Sequence, residues 1–195
     1  MGYMSEGKGT WRKRLLTLSA AVIICTASGR AQTPGLLVYE GTVIYGMSVD
    51  EQLGTGMLEL ADRDEQQPEV WCADPALTVR RGSRYVALAP QDAGGLYARN
   101  AGQIVSVLSR SWPRVSLSQL QENCAVSDLT LQEAIAATQL AVWTLTQGYM
   151  QYMGEERVDT VVTWLLLGET DVPCTDGLRV YWPLEAGLQP LVGLE

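Results

Sequence analysis

Histidine is absent from the whole 195-residue chain. That absence excludes Ser-His-Asp and Cys-His catalysis and removes the commonest metal-binding side chain. Lysine is almost as scarce, with Lys8 and Lys13 its only occurrences, both near the start. Arginine, alanine, leucine and glycine are used freely, so the scarcity has a compositional reading beside any chemical one. The four cysteines include no Cys-x-x-Cys pair, which leaves no zinc-ligand spacing. No cofactor or metal is expected. Long apolar runs are missing as well: Leu15 to Ala27 is 13 residues, against the roughly 20 that a spanning helix needs. Val161 to Leu167 has only the spacing of a helix face. Internal repeats and low-complexity tracts are lacking, which excludes solenoid and fibrous architectures.

What is present begins with Arg12-Lys13-Arg14 ahead of that short apolar run, and Gly29-Arg30-Ala31 behind it. A positive segment, an apolar core and small residues before Gln32 read as a cleaved secretion signal over residues 1–31. Cys25 would suit a lipoprotein, but Ile24 before it is too bulky for that processing site. Residues 32–195 remain, enough for one domain with a real core. Five of the 14 basic residues and one of the 22 acidic ones leave with the signal, so nine face 21 and the net charge becomes −12. Such a surface repels nucleic acid and anionic membranes and steers a basic protein partner toward it.

The remaining chain changes character twice. Residues 37–47, 55–61 and 68–73 are rich in β-branched and aromatic residues with turn residues between them, and Tyr85 to Leu88 adds a short strand. Leu96 to Leu108 then reads as helical, with Pro113 stopping it or redirecting the chain. Leu117 to Glu122 reads as a helical turn, and Arg157 to Leu167 repeats apolar positions at helical spacing. Strands return from Gly177, with Pro183 suggesting an edge. The pattern predicts an α+β fold, a sheet or barrel-like domain with a helical subdomain inserted at about 93–170 between early and late strands.

The most informative stretch is Ala136 to Thr146. Thr130 and Glu133 make a capping box ahead of it, and Gly148 suits a helix C-terminus. Leu131, Ile135, Val142 and Leu145 fall roughly on one apolar face, with Thr138 and Gln139 inside that stripe. A buried carboxamide left without partners costs about 1–3 kcal/mol. Backbone partners or rotation to solvent would satisfy it; so would a nucleophile able to attack its carbonyl. Upstream, Val70-Trp71-Cys72-Ala73-Asp74-Pro75 closes an apolar strand with a cysteine. Cys72, Cys124 and Cys174 follow the signal, an odd number in a secreted chain, and each of the three pairings leaves one thiol over.

A Cys-x-Asp-Pro block followed much later by a Thr-Gln-x-Ala-x-Trp helix resembles the thioester domains of Gram-positive surface adhesins. Gly82-Ser83-Arg84-Tyr85, the stretch Ile104 to Pro113, Arg179-Val180-Tyr181-Trp182-Pro183 and Gln189-Pro190-Leu191-Val192-Gly193 are similar to further elements of that family, over about Val38 to Leu194. The resemblance implies that Cys72 and Gln139 condense into an internal thioester, with Thr138 as an oxyanion support. Trp71, Asp74 and Trp143 would wall the pocket; Asp74 reads equally as a proton carrier or as an Asx-turn before Pro75. With Cys72 so committed, Cys124 and Cys174 would be free to form a disulfide.

The implied partner is an amine-bearing protein, its lysine on a host or neighbouring-cell surface. Acylation of that lysine gives an isopeptide in a single-use reaction, not enzymatic turnover. A mature chain without lysine could not quench its own thioester except at the N-terminus. The same resemblance implies a secreted or cell-surface location, with further stalk domains if the chain is a fragment. The alternative is a non-covalent binding module of the same fold. A third reading, a transglutaminase-like cysteine enzyme, is opposed by the missing histidine.

Overall fold

A computed structural model describes residues 38–40, 57–59, 69–80, 82–150, 154–168 and 175–195. Residues 1–31 of the expected signal, and Cys174 of the expected disulfide, lie outside them. Among the described residues four strands come first: β1 (Val38–Glu40), β2 (Met57–Glu59), β3 (Glu69–Cys72) and β4 (Arg84–Leu88). Six helices follow among them: α1 (Pro90–Ala93), α2 (Gly95–Arg99), α3 (Ala101–Arg110), α4 (Leu117–Cys124), α5 (Leu131–Gln147) and α6 (Glu156–Leu166). The chain closes with β5 (Leu178–Pro183) and β6 (Leu191–Leu194).

The strands form one antiparallel sheet in the order β1-β4-β5-β6-β3-β2. Among the described residues β1 and β2 are its edges, so the sheet is open rather than closed into the barrel-like form expected. Pro183 is the clearest departure from expectation, because its strand β5 lies inside the sheet, between β4 and β6. The reason is local. Leu184 donates its N–H to Arg84 O on β4, so strand alternation turns the Pro183 nitrogen toward the β6 side. The β5–β6 ladder already stops at Tyr181–Leu191, and no donor is needed there.

Helix α5 is the centre of the helical layer, packing on α3 and α6 and touching β3. Both capping-box hydrogen bonds form at Thr130 and Glu133, and Gly148 takes the left-handed conformation (φ 78°) that ends the helix. The Glu133 carboxylate also accepts from Arg157 at 2.8 Å, tying the start of α5 to α6. Instead of the single apolar face expected, all but four of its 17 residues are buried. Leu131, at its exposed first turn, is 40% accessible. The small residues Ala134, Ala136, Ala137 and Ala141 let neighbours close over the other sides, and all are fully buried.

Candidate functional site

The site forms where the end of β3 meets the middle of α5. Ala73 donates its N–H to Pro190 O at 3.0 Å, on the β6 side. Alternation along the strand therefore turns the Cys72 peptide groups the other way. There the Gln139 side chain stands in for a neighbouring strand. Its Oε1 accepts from Cys72 N–H at 3.0 Å, and its Nε2 donates to Cys72 O at 2.7 Å. Gln139 is 0% exposed, so this reciprocal pair resolves the buried-carboxamide problem raised by the sequence.

Three more side chains fix the same corner. Thr146 Oγ1 donates to Ala73 O at 2.8 Å, and Gln147 Nε2 donates to the same carbonyl at 2.7 Å. From the β5–β6 connection, buried Gln189 accepts from Asp74 N–H at 3.4 Å and hydrogen-bonds the Cys72 sulfur. None of the three carries a role in the sequence pattern. Gln139, Thr146 and Gln147 stand seven and eight residues apart, so a polar stripe at helical spacing was the available signal. Gln189 had none beyond its place in a family-like segment.

The residues expected around the pair take varied positions. Trp71 and Trp143 are buried, and Trp143 Nε1 has no hydrogen-bond partner among the described residues. Tyr85, fully buried on β4, likewise has a hydroxyl with no hydrogen-bond partner among them. Asp74 is half-buried and accepts from Ala76 N–H at 2.9 Å, an Asx-turn into Pro75. Thr138 donates its hydroxyl to Ala134 O at 2.8 Å, within its own helix. The donor that meets the Gln139 carbonyl oxygen is instead the Cys72 N–H. Cys124 is buried at the end of α4, its thiol pushed up to about 11 by burial against the opposing charge of Arg110. Among the described residues no group of three or more acidic, cysteine or histidine side chains is placed to hold a metal.

Burial pushes the Cys72 thiol up to about 12, opposed by hydrogen bonds from Gln189 and from its own peptide. The sign of the consequence is fixed. A native thiol that holds its proton more tightly than the unfolded thiol, whose ordinary value is 9.0, stabilises the fold less as pH rises through and above 9. In a Gln139→Ala chain, where the thiol has no acyl partner, the urea midpoint should therefore fall more steeply between pH 8 and 10 than in Gln139→Ala/Cys72→Ala. Parallel profiles would mean that the sulfur is not desolvated.

Comparison with known proteins gives the family and the fold. Residues 69–167 match the sequence model of a family described as TED, thioester domain. No curated protein matches the chain significantly. Among solved structures, the N-terminal thioester domain of a surface protein from Clostridium perfringens superposes with a TM-score of 0.61 at 16% identity, covering 81% of this chain and 98% of that one. The N-terminal domain of the Streptococcus pyogenes pilus tip adhesin Cpa gives 0.54 at 13% identity, covering 81% and 92%. The N-terminal thioester domain of fibronectin-binding protein SfbI from the same species gives 0.54 at 11% identity, covering 80% and 91%. At those identities the superpositions speak for the fold.

Proposed function

Because the chain belongs to the thioester-domain family of surface adhesins, we propose that it attaches covalently to amines on a target surface through a Cys72–Gln139 thioester. The observation that carries this reading is the reciprocal hydrogen bonding between the Gln139 carboxamide and the Cys72 peptide. It holds the acyl carbon against the residue that bears the sulfur.

In the forming step the Cys72 sulfur attacks Gln139 Cδ, the C–N bond breaks, and the thiol proton leaves with the nitrogen as ammonia. An amide is a poor electrophile, so proximity supplies much of the acceleration; well-oriented intramolecular reactions reach effective molarities of about 10⁵ M or more. Charge gathers on Oε1 as the sulfur adds, and the Cys72 N–H at 3.0 Å already points at that oxygen. The nitrogen that departs is the one donating to Cys72 O. Gln139 is itself 0% exposed, which keeps bulk water from the acyl group.

In the second step an amine of the target adds to the same carbonyl. The C–S bond breaks, an amide joins Gln139 to the target lysine, and the amine proton returns to sulfur as the Cys72 thiol. Each molecule reacts once. The setting is a secreted or cell-surface protein, and no helix among the described residues is long and apolar enough to cross a membrane.

Intact mass tests the reading. The secreted chain should be one ammonia lighter than its processed sequence, and Cys72→Ala should carry full mass. Methylamine should add to the wild type while exposing a titratable thiol. A wild type at full mass that ignores methylamine would refute it.

A further inference from the structure

A cavity of about 480 Å³ opens beside the Cys72 segment, its wall including Asp74, Leu77, Tyr97, Trp182, Leu184 and Glu185. Neither Cys72 nor Gln139 lines it, yet it begins two residues from the cysteine and reaches Pro190, whose carbonyl holds Ala73. A segment that approaches Gln139 from this side lays its neighbouring residues over the cavity. Its chemistry is uneven. Tyr97 and Trp182 meet edge to face, ring centroids 6.4 Å apart at 82°, and Trp182 is 42% exposed. The Asp74 charge bears on Tyr97, whose hydroxyl is pushed up to about 12 by burial and then by that carboxylate. Glu185 stands at the rim, paired with Arg80. Exposed Leu77 and Leu184 supply apolar surface.

An exposed indole beside a carboxylate, with aliphatic surface next to both, suits a cation on an apolar stem. We propose that this cavity seats a basic side chain, arginine or lysine, of the target segment, a few residues from the lysine that opens the thioester. The inference rests on the covalent reading for where the reacting amine must come, but the cavity binds its cation without any bond being made. The Asp74 carboxylate and the Trp182 face hold the charged head, while Leu184 and Leu77 cover the stem. An acidic neighbour at the same place meets the Asp74 carboxylate and is rejected, since the Glu185 charge is already answered by Arg80. The chain's formal net charge of −8 adds to the approach of a basic segment.

The test separates docking from chemistry. A fluorescein-labelled peptide in which norleucine replaces the reacting lysine, flanked by arginine or by glutamate, is titrated against the purified chain by anisotropy. The arginine peptide should bind about tenfold more tightly, and Trp182→Ala or Asp74→Asn should each reduce that preference to about threefold or less. Asparagine keeps the oxygen that accepts from Ala76, so the turn survives the second change. Equal binding of the two peptides, or a preference unchanged in both variants, would overturn the proposal. The lysine-containing peptides are then followed by intact mass. Arginine preference without an adduct leaves the basic-segment site standing and removes the thioester; adducts formed equally with both peptides do the reverse.

Discussion

Gln139→Glu should abolish the loss of ammonia and destabilise the domain by about 3–5 kcal/mol at neutral pH. Measured in a Cys72→Ala background, where the carboxamide is kept and no covalent link is lost, the change is nearly isosteric, so the effect comes from charge and donor count. One oxygen of the introduced carboxyl can keep the Cys72 N–H, at 3.0 Å in the native pair. The other arrives where Nε2 donated to Cys72 O at 2.7 Å, and two acceptors then face each other in a fully buried place. Protonation restores a donor, so the folded form holds its proton more tightly than the unfolded chain, whose carboxyl titrates near 4.3. The destabilisation should therefore be smallest below about pH 4 and grow as pH rises through the unfolded value. Urea denaturation at pH 4 and pH 7 reads this, with Gln139→Ala in the same background as the control that lacks the added pH dependence. Equal stability at both values would mean that this side chain is not clasped to the Cys72 peptide.

Gly193→Ala is expected to cost about 2 kcal/mol or more and to slow thioester formation as well. A Cβ at Gly193 would lie 2.6 Å from Glu69 O and 2.9 Å from Val70 Cγ1. The first of these is strand backbone, which cannot step aside as a flexible side chain would. Glu69 and Val70 belong to the same four-residue strand as Cys72, so β3 must shift away from β6 and carry the cysteine with it. The expected outcome is a lower urea midpoint together with a larger share of chains at full, unreacted mass. Gly177→Ala, whose Cβ would meet only Glu195 O at 3.4 Å, is the control. If Gly193→Ala matched it in both readings, the close approach of β6 to β3 would be wrong.

What could be read from the sequence was mainly local. The Thr130–Glu133 box and Gly148 declare the limits of α5 because capping involves residues only a few positions apart. Gln139 was legible as a polar residue on a buried helix. Its actual partner was not, because the Cys72 peptide lies 67 residues away and every residue has a peptide. Sheet order was hidden for the same reason. Nothing near Pro183 announces that β6, which follows it, will turn back and pair between β5 and β3. Gln189 gains its contact with the sulfur only through that pairing. The alternation of strands, helices and strands could be read from composition, but where the layers touch depends on contacts distant in sequence.

The central place of β6 has a mechanical consequence. The strand runs antiparallel to β5 on one side and β3 on the other. A tether pulling at Glu195 against a target fastened at Gln139 would draw β6 along its own axis. Its hydrogen bonds to both neighbours would then be strained together in shear, whereas an edge strand can be peeled away bond by bond. Through β3 the load reaches α5 and the adduct, while β5 shares it on the other side, so the strand yields only when both ladders give way together.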